Sequence, residues 1–108
     1  MLDLHELAME RSLAFHREIA DRLLRDPAIL NRARDRVRSW AADFPERPFV
    51  KRWASILEGS PESVAAFLVE RTELAQELRQ SSPFAGVLSP AERWRLWRET
   101  RDAHGEIP

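Results

Sequence analysis

Apolar residues in this chain recur at steps of three and four, and proline beside a capping residue marks most points where the pattern stops. Leu4, Leu7, Ala8, Phe15, Ile19, Leu23 and Leu24 trace a helix over 4–25, opened by Asp3 with Glu6 three residues on. Asp26-Pro27 ends it and opens the next, because proline disfavours helical geometry in the preceding residue yet fits the first helical position. The second helix, over 27–44, has the cleanest stripe: Ile29, Leu30, Ala33, Val37, Trp40, Ala41 and Phe44. Pro45 and Pro48 bracket a tight break, after which Phe49, Val50, Trp53, Ile56 and Leu57 predict a short helix over 48–58 that stops at Gly59. Ser60-Pro61 starts a fourth helix, predicted to run unbroken over 61–80 on Val64, Phe67, Leu68, Arg71, Ala75 and Leu78. Ser89, Pro90 and Glu92 start a fifth over 90–102, and residues 103–108 are expected to fray.

The pattern therefore predicts an all-α fold, a compact bundle of about five helices forming one domain over 1–108. A chain of 108 residues suits one hydrophobic core and leaves no room for a second. Its 44% apolar content argues against disorder, and only three glycines argue against a loop-rich β architecture. The segment 81–88 (SSPFAGVL) is too apolar for a solvated connector, so it is expected to pack on the bundle or on a partner.

Charge changes the picture locally. Arg32, Arg34, Arg36, Arg38, Arg47, Lys51 and Arg52 face only Asp35, Asp43 and Glu46 between 27 and 56, although the whole chain carries a net charge of -1. Arg32, Arg34, Arg36, Arg38, Lys51 and Arg52 are the candidate anion-binding residues. At ~100° per residue the four arginines of the second helix border its apolar stripe on both sides, where their stems cover apolar surface and their charges stay wet. The other feature is Glu92-Arg93-Trp94-Arg95-Leu96-Trp97-Arg98. Trp94 and Trp97 lie ~60° apart on a helix and Leu96 ~160° from Trp94, so no single buried face holds all three. Phe84, Leu88, Trp94, Leu96, Trp97 and Arg98 are the candidate partner-binding residues, against the plainer reading that the tryptophans close the core.

Catalytic patterns are missing. His5 and His16 share a helix but stand ~16 Å apart along its axis, too far to grip one metal, and His104 has no neighbouring ligand residue. Ser12 and His16, four apart, form the start of a nucleophile and base pair without the glycine-rich elbow that acyl chemistry uses. Gly59, Gly86 and Gly105 stand singly and make no phosphate cradle. Neither metal nor cofactor is expected, and the chain reads as a non-enzyme. The absence of cysteine fits a reducing compartment, and with neither a signal-peptide pattern nor an apolar run of membrane-spanning length the expected location is cytoplasmic. A DNA-reading helix-turn-helix across Glu58-Gly59-Ser60-Pro61 reads poorly, because the would-be recognition helix carries Glu62, Glu70, Glu73 and Glu77 against Arg71 and Arg79.

The segment from Ser82 through Pro83, Phe84, Ala85, Gly86, Val87, Leu88, Ser89 and Pro90 to Trp94, with Glu70 to Gln80 before it, resembles the C-terminal part of small bacterial all-helical proteins. Those are similar to the antitoxin or accessory member of toxin and antitoxin gene pairs. The resemblance is firmest over 70–98 and transfers no functional residue. It implies a non-catalytic protein-binding domain whose partner is a toxin, neutralised by direct binding. A second reading is a nucleic-acid-binding transcriptional regulator using the basic 32–52 region, and a third is a structural or accessory subunit of an enzyme complex. Homodimerisation through the same apolar surface is compatible with the first two.

Overall fold

Side-chain caps decide where the helices begin. In the computed structural model, which describes residues 2–104, six helices follow one another: α1 (Leu4–Arg25), α2 (Pro27–Asp43), α3 (Pro48–Ile56), α4 (Pro61–Leu68), α5 (Glu73–Arg79) and α6 (Pro90–Ala103). Asp3, Asp26, Ser60, Thr72 and Ser89 each accept a hydrogen bond from an amide in the first turn of the helix they precede. At α6 the bond is reciprocated, Glu92 accepting from the Ser89 amide at 3.0 Å. Proline occupies the opening turn of α2, α3, α4 and α6, where a missing N–H costs nothing. The described residues contain helices and no strand, as the apolar spacing predicts. Residues 105–108 of the expected frayed end lie outside the described residues.

One expectation needs correcting: the helix predicted over 61–80 is two helices. A continuous helix would carry Arg71 on the same stripe as Val64, Leu68, Ala75 and Leu78. Instead the chain leaves helical geometry at Val69, and Thr72 restarts it from an extended conformation. The turn releases Arg71 to pair with Glu10 on α1 at 2.6 Å, and that bond holds the Glu10 carboxyl below the ordinary carboxylate range. It also seats Ala75 and Leu78 in the interior. Arg79 closes the gap, its Nη1 donating to the Leu68 carbonyl at 3.2 Å and the Glu70 carbonyl at 2.7 Å.

Helix α1 is the axis of the bundle, packing against α4 and α6 most extensively and also against α2 and α5, while α3 leans on α2. Its inward residues Ile19, Ala20 and Leu23 meet a core built around Trp53, whose indole is fully buried. Phe67 and Phe84 stand edge-on to that indole, with centroids at 5.8 and 6.3 Å. The apolar segment 81–88 belongs to this core. Gly86, at φ 91°, takes the left-handed turn that glycine accommodates. Phe84 and Leu88 on either side of it are buried, at 2% and 5% exposure. Among the described residues no helix is long and apolar enough to cross a membrane.

Candidate functional site

Helix α6 is amphipathic in an unusual way, since its aromatic residues lie on the wetter side. Leu96, partly buried, packs against the core, and Thr100, which is buried, donates its hydroxyl to the Leu96 carbonyl at 2.8 Å. With that side inward, Trp94 faces out at 54% exposure and Trp97 is half-buried beside it. The two indoles stack, with centroids 4.9 Å apart and planes 16° from parallel. Arg11 of α1 lies over the Trp97 ring at 3.6 Å, Arg101 is near the same ring at 5.4 Å, and Arg98 stands 5.6 Å from the Trp94 ring. The result is an indole pair at the surface, Trp94 exposed and Trp97 half-buried, flanked by guanidinium groups that face the aromatic quadrupoles favourably.

Of the six candidate partner-binding residues, Trp94, Trp97 and Arg98 thus form one surface, with Leu96 beneath it. Phe84 and Leu88 do not lie on that surface: both are buried in the core cluster with Trp53.

The candidate anion-binding residues do not come together. Arg34 is half-buried and caps the end of α3, its Nε donating to the Leu57 carbonyl at 2.7 Å and its Nη2 to that of Gly59 at 3.1 Å. Arg38 pairs with Asp35 at 2.5 Å, while Lys51 and Arg52 sit exposed on α3. Arg32 and Arg36 face a different groove, where Arg36 donates to the Ala85 carbonyl at 2.9 Å. A continuous basic stripe over 32–52, of the kind a nucleic-acid backbone follows, is not formed.

The most constrained polar contact joins residues 66 apart. His16 is buried; its Nδ1 lies 2.7 Å from the Ser12 carbonyl and its Nε2 2.8 Å from the Ser82 hydroxyl. A carbonyl only accepts, so Nδ1 carries the proton, and Nε2 accepts from Ser82 Oγ. The sequence pairing of the Ser12 and His16 side chains is therefore replaced by a bond to the Ser12 backbone, and no local spacing marks Ser82 as the second partner. A hydroxyl bonded to a neutral imidazole has the outline of a nucleophile and base. Burial, with Arg79 adding repulsion against the Ser12 bond, lowers the His16 pKa to about 4, so it is a weak proton acceptor at neutral pH. Ser82 Oγ also accepts from the Phe84 amide at 3.2 Å, so the pair acts as a strut holding the 81–88 segment on α1.

The strut has a pH signature. The folded pKa lies below the ordinary 6.5, so the unfolded chain binds the proton more readily, and stability rises with pH between about 4 and 6.5. The contribution is fully present above 6.5 and lost as pH falls toward 4; a shift of this size corresponds to roughly 3 kcal/mol. His16→Gln, which keeps a donor and an acceptor but cannot titrate, is expected to show a flatter melting temperature between pH 7 and 4.5 than the parent. Parallel curves would remove the histidine from the account.

Among the described residues no group of three or more His, Cys, Asp or Glu side chains is arranged to hold a metal ion. Compared with known families, characterised proteins and solved structures, the chain matches none.

Proposed function

We propose that this chain is a non-catalytic protein-binding domain that engages its partner through the Trp94, Trp97 and Arg98 surface of α6. The observation that carries the reading is an indole stack left at the surface, with Trp94 at 54% exposure, while every other tryptophan is at least half-buried. Tryptophan and arginine supply most binding energy where interfaces have been dissected, because a rigid ring buries a large area at little entropic cost. Arg93 beside Phe15 and Arg98 beside Trp94 add positive charge at the edge of the stack, which suits an acidic segment on the partner. The resemblance of 70–98 to antitoxin-like proteins supplies the partner class: a toxin, neutralised by being covered.

The test is calorimetric titration against the product of the adjacent gene. Trp94→Ala combined with Trp97→Ala is expected to weaken binding at least ~30-fold, the size of a hot-spot loss, with the far-ultraviolet helical signal intact. A folded double variant that binds as tightly as the parent would exclude this face.

A further inference from the structure

Asp26-Pro27 folds the end of α1 back against the start of α2, and this corner gathers arginines that the sequence keeps apart. Arg22 and Arg25 lie in the last turn of α1, where cations favour the exposed carbonyl end of a helix. Arg32 and Arg36, four apart on α2, face the same way. Together they line a groove of about 620 Å³, whose remaining walls include Ile29 and Val87. That volume is in the range of small-ligand sites, which run from about 300 to 1,000 Å³.

The four guanidinium groups differ in what they already do. Arg22 is consumed by ion pairs with Glu18 and Glu92. Arg36 spends Nη1 on the Ala85 carbonyl, and Arg25 spends only Nε, on the Asp21 carbonyl at 3.3 Å. Arg32 makes no hydrogen bond or ion pair among the described residues. Asp26 is the one carboxylate in the lining, and it is engaged by the Ala28 amide in capping α2. Three arginines without a carboxylate partner therefore face one committed aspartate beside an apolar wall. Guanidinium forks match phosphate oxygens in pairs, and half-buried Val87 offers apolar contact for a ring.

We propose that this groove binds a phosphorylated ligand of nucleotide size, its phosphates on Arg25 and Arg32 and its apolar part against Val87. Confinement to one corner favours a small molecule over a nucleic-acid strand, because Arg34, Arg38, Lys51 and Arg52 lie elsewhere and extend no track from it. The site is independent of the α6 surface.

Calorimetric titration with ADP, inorganic pyrophosphate and adenosine, at low ionic strength, tests the assignment. ADP is expected to saturate with Kd below about 1 mM, pyrophosphate to bind more weakly and adenosine not to bind. Arg25→Gln with Arg32→Gln, both exposed positions, should weaken ADP about tenfold or more while leaving the melting temperature unchanged. Three results would overturn the proposal: no ADP binding, pyrophosphate binding as tightly as ADP, or undiminished ADP binding in the double variant. Preference for a single-stranded oligonucleotide that ADP does not displace would assign the charge to a nucleic acid instead.

Discussion

Trp53→Ala is expected to lower the unfolding free energy by about 3 to 5 kcal/mol in urea denaturation. The indole is fully buried in α3, a helix of nine residues, too short to persist without tertiary support. It ties α3 to α4 through Phe67 and to the 81–88 segment through Phe84, and each edge-on ring pair adds roughly 0.5 to 1.5 kcal/mol beyond area burial. Against a total stability of about 5 to 15 kcal/mol for a domain of this kind, the loss takes a large fraction of what holds the protein folded. The indole Nε1 has no hydrogen-bond partner among the described residues. Trp53→Phe therefore gives up ring volume but also removes a buried unpaired donor that costs about 1 to 3 kcal/mol, so its loss should be clearly smaller than that of Trp53→Ala. Equal losses would mean that the packing of this ring does not set the stability of the core.

Arg79→Met should cost about 3 kcal/mol or more, because it leaves the Leu68 and Glu70 carbonyls without their donor where α4 gives way to α5. Arg79 is only 5% exposed; burial pushes its pKa below the ordinary value, with repulsion from Arg71 adding and attraction to Glu10 opposing. The guanidinium nevertheless stays charged, so the two carbonyls receive charge-assisted bonds. Methionine matches the stem and isolates the loss of those bonds. Hydrogen exchange followed by mass spectrometry should show protection lost first over 69–80, with Arg79→Lys intermediate because it keeps a charge and a donor. Loss spread evenly over all six helices would contradict a local role for Arg79.

These two residues show where reading along the chain works and where it stops. Trp53 announces itself as interior from its place among Phe49, Val50, Ile56 and Leu57, since helical spacing alone puts it on the apolar side. Arg79 reads as an ordinary surface charge. Its role depends on a break at Val69 that Thr72 permits but does not announce, and on two carbonyls that become its neighbours only after the turn.

The sequence by itself determined the helical class and nearly every helix start, because caps, prolines and apolar steps act within a few residues of one another. Tertiary structure alone decided that Leu96 turns inward and Trp94 outward, that Phe84 and Leu88 are core, that His16 meets Ser82, and that Arg25 and Arg32 share a groove. Each depends on contacts across many residues or on which of two nearly equivalent helix faces finds apolar neighbours. Periodicity specifies that a face exists; only packing against the rest of the chain selects the one that stays dry.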